Sequence, residues 1–172
     1  MAIAIGLSPS LEANISEAAR LCSILGNKLF LIHVEAPNTH SRSTLDEALK
    51  KMAKTSNLAK VDFELCYESG DVSGSIIRVC EAKNIDLLIA GALAREGLLR
   101  YYMGSVARQL VRKSSFSLLL LTNPTLFPQA YSNIVVTGNK HPKTYDTIKK
   151  SIEFAQAVAE RKLTIVDEEK PE

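Results

Sequence analysis

The sequence predicts an α/β protein: a doubly wound, five-stranded parallel sheet in the strand order 3-2-1-4-5, with an extra C-terminal βαβ unit. Three observations carry this. Short uninterrupted apolar runs, such as Ile3 to Gly6 and Phe116 to Leu121, look like strands buried on both faces. Helical stripes separate them, and a strand–helix–strand unit with a right-handed crossover makes its strands parallel. After Leu121 a proline-bearing stretch intervenes, and the same pattern then restarts.

The first strand, Ile3 to Gly6 (IAIG), is followed by Ser8-Pro9, read as an N-cap and first helical residue. Ile15, Ala18, Ala19, Cys22 and Leu25 recur at helical spacing, and Gly26-Asn27 closes that helix. Lys28 to Val34 (KLFLIHV) is the second buried strand. A polar loop from Asn38 to Ser43 leads to an exposed, weakly amphipathic helix over Leu45 to Lys54. Val61, Phe63, Leu65 and Tyr67 alternate with polar neighbours and Cys66, which predicts a half-buried edge strand. Asp71 or Ser73 caps the next helix, whose face carries Val72, Ile76, Val79 and Cys80 and which runs up to a strand at Asp86 to Ala90.

The stretch Asp86 to Leu121 organises the rest. A buried strand passes into a glycine-bearing loop, then a helix starting near Gly104-Ser105, then the strand Phe116 to Leu121. Free N–H groups and the positive end of the helix dipole make such a helix start an anion site, most often for phosphate.

The sequence divides into a domain over 1–122, a linker over 123–132 and a partial second repeat over 133–172. Asn133 to Thr137 (NIVVT) restarts the strand pattern, Ile148, Ile152, Ala155 and Ala159 make a helical stripe, and Lys162 to Val166 is again a strand. KLFLIHVEAP at Lys28 to Pro37 matches KLTIVDEEKP at Lys162 to Pro171, as an internal repeat does; the alternative is chance likeness between two generic βαβ units. A lone unit of this kind cannot cover both faces of its sheet and needs a packing partner.

At 172 residues, with 46% apolar and 23% charged side chains, the chain suits one compact soluble domain with an appendage. Its 21 basic and 19 acidic residues make no case for a nucleic-acid or membrane partner. No apolar run nears the ~20 residues of a membrane span, and a cytoplasmic protein is expected. Cys22, Cys66 and Cys80 lack CxxC spacing and read as small buried apolar residues. His33, His40 and His141 are scattered, so no metal site is expected, and no nucleophile elbow or base accompanies Ser105. No catalytic residue is therefore assigned.

The segment GDVSGSIIRVCEAKNIDLLIAGALAREGLLRYYMGSVARQLVRKSSFSLLLL, with IAIGLSPSLEANISEAARL and LFLIHVEAP, resembles the universal stress protein family. The likeness covers Ala2 to about Leu121 as a full domain and Asn133 to Pro171 as the first third of another. The family's nucleotide motif is a glycine, two residues, a glycine, nine residues, then glycine with serine or threonine. Its spacing is kept here by Gly91, Ala94 and Gly104-Ser105, and Arg95 and Gly97 fit the usual loop. The resemblance implies phosphate contacts at Gly91, Gly104, Ser105 and Val106, and an adenine contact at the backbone of Val34, with ATP or AMP as ligand.

Three departures weaken that site. Gly6 stands where the family's ribose-binding aspartate would be, and Ala94 replaces the middle glycine. Losing a charge-assisted bond of ~1.5–3 kcal/mol means tenfold or more in affinity, so tight ATP binding is not expected. Glu96 adds a carboxylate to the loop, opposed by Arg95 and Arg100.

The expected function is a non-enzymatic stress-response or regulatory module with a degenerate adenine-nucleotide site. It would act as a homodimer through the last strand of the first domain, as in the family, or through the C-terminal repeat. The alternatives are a soluble regulatory domain of a larger membrane transporter and a slow nucleotide hydrolase using Ser105.

Overall fold

The computed structural model describes residues 1–26, 28–35, 42–55, 57–92, 104–138, 142 and 144–167. The chain forms two compact units, Met1–Pro128 and Gln129–Glu172.

In the first unit, β1 (Ala2–Ile5), β2 (Leu29–Glu35), β3 (Phe63–Ser69), β4 (Leu87–Gly91) and β5 (Ser117–Leu121) form one sheet in the order β3-β2-β1-β4-β5. Every pair in it is parallel. This is the predicted strand order, and β3 is the expected edge. The period of two sorts the central side chains. Ala2 sits beside Phe30 and Leu88, and Ile3 beside Leu31 and Ile89. The Ala2 face meets Ile76, Val79 and Cys80 of α3 (Val72–Ala82) and Leu110 of α4 (Ser105–Lys113), all buried. On α1 (Leu11–Leu25), Ile15 and Leu21 are fully buried.

Several boundaries differ from the sequence reading. The N-cap of α1 is Ser10, not Ser8. Ser8 and Pro9 form a turn, in which the Leu11 N–H donates to the Ser8 carbonyl at 3.1 Å. The second helix, α2, begins earlier, at Arg42, and ends at Thr55. A 3-10 turn at Asn57–Lys60 escaped prediction because so short an element carries no hydrophobic period; its Leu58 is fully buried. Asp71, of the two candidate caps, is the one used for α3. Its carboxylate accepts from the Gly74 N–H at 2.7 Å.

The second unit is a two-stranded parallel sheet of β6 (Tyr131–Gly138) and β7 (Ala159–Asp167), joined by α5 (Thr144–Val158). Ala159, placed in the helical stripe above, is instead the first residue of β7. Helix passes into strand there with no glycine or proline to mark the change. Ala155 and Val158 of α5 and Val136 of β6 are buried, whereas Val135 and Ile165 are half exposed or more.

Candidate ligand site at the ends of β1 and β4

The chain leaves β1 toward β2 and β3, then returns to the other side of β1 for β4 and β5. Ligands of open α/β sheets bind in the crevice at such a reversal, outside the carboxyl ends of the strands. Here the two strands part at that place. The β1–β4 pairing ends at Ala4↔Ala90, although β1 stays paired with β2 through Ile5↔His33 and β4 with β5 through Gly91↔Leu121. The His33 Nδ1–H, buried, donates to the Ile5 carbonyl at 3.1 Å and holds the end of β1 toward β2.

A cavity of about 170 Å³ occupies the gap, bounded by Ile5 at the end of β1, Gly6 and Ser8 after it, Ser10 and Asn14 at the α1 start, and Gly91. None of the described residues lining it is charged. The Ser10 hydroxyl does not cap α1. It lies 3.3 Å from Ser8 Oγ and accepts from Asn14 Nδ2 at 3.2 Å. Asn14, only 8% exposed, reaches across to β4. A Cβ on Gly91 would lie 2.7 Å from its Nδ2 and 3.3 Å from its Oδ1. A side chain at position 91 would therefore displace the Asn14 amide, a matter of space rather than of backbone angle.

Of the residues singled out from sequence, Gly6 and Gly91 meet at this cavity. Gly104 is the N-cap of α4 and Ser105 its exposed first residue, so a helix does start there. Gly104 supplies no side-chain cap, which leaves the first N–H groups of the helix for other partners. Val106 packs its side chain against the core under the sheet, and half-buried Val34 of β2 pairs with Glu68 of β3. Val34, Gly104, Ser105 and Val106 are not among the cavity-lining residues. Ala94 and Arg95, with the rest of 93–103, lie outside the described residues.

Sequence reasoning missed Ser10 and Asn14. Their i, i+4 spacing puts them on one face of a helix start, but serine and asparagine there carry no apolar period that would mark them as buried. In fact ten of the 15 residues of α1 are buried, including the polar Asn14, Ser16 and Glu17.

A polar cluster stands beside the cavity, on the ends of β2 and β3. The Tyr67 hydroxyl donates to Asp46 of α2, the Arg42 guanidinium lies 4.6 Å from the ring centroid, and His33 meets the ring edge-on at 6.0 Å. Partial burial, then the hydrogen bond to Asp46, push the phenol up to about 12. Burial likewise drives the Cys80 thiol to about 12, which suits a cysteine that serves as packing. Among the described residues no group of three or more His, Cys, Asp or Glu could hold a metal ion. No helix among them is long and apolar enough to cross a membrane.

The sequence model described as "Universal stress protein family" matches residues 1–122. Universal stress protein MJ0531 of Methanocaldococcus jannaschii is 30% identical over 78 residues, which is 45% of this chain and 46% of that protein. The match thus spans about half the length of that curated relative. Among solved structures, the functionally unknown protein PA1789 of Pseudomonas aeruginosa PAO1 is similar with a TM-score of 0.69 at 15% identity, over 96% of this chain and 60% of that one. A universal stress protein solved in complex with cAMP is similar with a TM-score of 0.53 at 20% identity, over 70% of this chain and 95% of that one. At these identities the solved structures speak for the fold.

Proposed function

Because this chain belongs to the universal stress protein family, we propose that it is a non-enzymatic regulatory module of the stress response with a degenerate adenine-nucleotide site. The site takes its ligand at the carboxyl ends of β1 and β4. The observation that carries this reading is the cavity where those strands part, with Gly6 on one side, Gly91 on the other and no charged side chain among its described lining residues. A solved relative in complex with cAMP supports the ligand class. Gly6 brings no carboxylate to the ligand, so the interaction rests on neutral hydrogen bonds and on the helix start at Gly104-Ser105. Ala94 and Arg95 complete the loop in this reading.

In it, residues 1–122 hold the ligand, 123–132 link, and 133–172 repeat the opening strand–helix–strand unit. The parallel order β6-α5-β7 supports that repeat. A homodimer accompanies it. Edge strand β5 presents the half-buried Leu118, Leu119 and Leu120, and such an edge invites pairing with another chain.

Titration calorimetry with ATP, ADP and AMP tests the ligand, and sedimentation tests the dimer. The expected Kd is about 100 μM, equivalent to about −5.5 kcal/mol, without turnover. Nanomolar affinity would remove the word degenerate, silence at millimolar ligand would remove the nucleotide, and ATP hydrolysis lost in Ser105→Ala would make the protein an enzyme.

A further inference from the structure

Asn14 is a polar side chain that packing does not explain. It is 8% exposed, its Nδ2 bonds to Ser10 Oγ at 3.2 Å, and its Oδ1 is buried with no partner. Among the described residues it is the buried side-chain oxygen or nitrogen left unpaired. Such a group penalises the folded state, and a leucine of similar shape would remove the penalty. An asparagine there invites a use.

The surroundings define what that use can be. Asn14 lines the cavity between β1 and β4, and no described lining residue is charged. The polar side chains on the described wall, Ser8, Ser10 and Asn14, are neutral hydrogen-bonding groups, and a neutral ligand portion pairs with them without a desolvated charge. The Ser10 hydroxyl both donates and accepts, so either end of the Asn14 amide can face it, leaving the other end free. A ligand hydroxyl is also both donor and acceptor, and it satisfies whichever end remains; an ether or a lone N–H satisfies one only. The cavity, about 170 Å³, is of the size that takes one small ring.

We propose that Asn14 is a specificity-determining residue that reads a hydroxyl on the neutral polyol portion of the ligand held in this cavity. The contact is argued from the cavity alone. That the polyol is the ribose of an adenine nucleotide rests on the function proposed above.

The test uses the full chain, titrated with AMP, 2′-deoxy-AMP, 3′-deoxy-AMP and D-ribose, as wild type and as Asn14→Leu and Asn14→Ser. Wild type should bind AMP at least tenfold more tightly than one of the two deoxy analogues. Asn14→Leu should abolish that discrimination while melting at or above the wild-type temperature, and Asn14→Ser should restore part of it. Nucleotide binding that ignores both the deoxy change and Asn14→Leu would overturn this inference and leave the proposed function standing. Asn14-dependent stabilisation by D-ribose with no binding of any nucleotide would do the opposite. Absence of binding of all four probes would overturn both.

Discussion

The carboxamide of Asn14 fills the space that a side chain at position 91 would need: a Cβ on Gly91 would stand 2.7 Å from Asn14 Nδ2. Helix α1 and strand β4 therefore meet through one asparagine and one glycine at the mouth of the cavity. Gly91→Ala forces the amide away from Ser10 or the strand away from the helix. The expected cost is about 1–3 kcal/mol, the usual range for overpacking. Repeating the substitution in an Asn14→Ala background should recover most of that loss, since contacting residues couple by ~0.5–3 kcal/mol. Urea denaturation of the four proteins measures the coupling, and additive losses would contradict the contact.

Leu110 is 1% exposed and anchors α4 to the sheet below Gly104 and Ser105. Leu110→Ala should cost about 2–5 kcal/mol. Because α4 has only nine residues, its amides should also lose hydrogen-exchange protection. A fall in global stability with unchanged exchange relative to the sheet would show that α4 does not depend on this anchor.

Asp71 caps α3, and its carboxyl is held below its ordinary 3.8 first by the Gly74 N–H and then by the Ser73 hydroxyl. A depressed carboxylate contributes stability above the unfolded-state value and loses it as pH falls through the folded-state value. Asp71→Ala should thus lower the melting temperature at pH 7, and the gap from wild type should close as pH is taken well below 3.8. A gap independent of pH would assign the effect to something other than the charged cap.

The Tyr67 phenol, held up to about 12 by partial burial and by Asp46, behaves the other way. Its raised value contributes stability below the ordinary 10.0, lost as pH climbs toward the folded-state value. Between those two values wild type should lose stability with pH more steeply than Tyr67→Phe. Ultraviolet difference titration of the same pair should show the missing phenol ionising last. Ionisation near 10 would mean that the Asp46 contact is absent in solution.

The sheet was open to reading because each strand writes its own pattern. IAIG and FSLLLL are uninterrupted apolar runs and FELCYES alternates, so the strands followed from local runs and their parallel pairing from the crossover rule, although β5 proves to be a half-buried edge strand. Helix burial was less legible. Ile15, Ala18, Ala19 and Cys22 declare one face of α1, but Asn14, Ser16 and Glu17 are buried on faces that only tertiary packing covers. Hence Gly6 and Gly91 were found by motif, while the asparagine between them was not. The start of β7 at Ala159 was hidden for a different reason: nothing in the residues there breaks a helix.

Every strand of the five-stranded sheet points its carboxyl end to the same rim, and the packed side chains of Ile3, Leu31, Leu88 and Ile89 lie below it. On the function proposed above, folding and recognition are thereby housed on separate storeys of the molecule, and mutations along the upper storey would change or empty the cleft while the foundation goes on assembling unchanged.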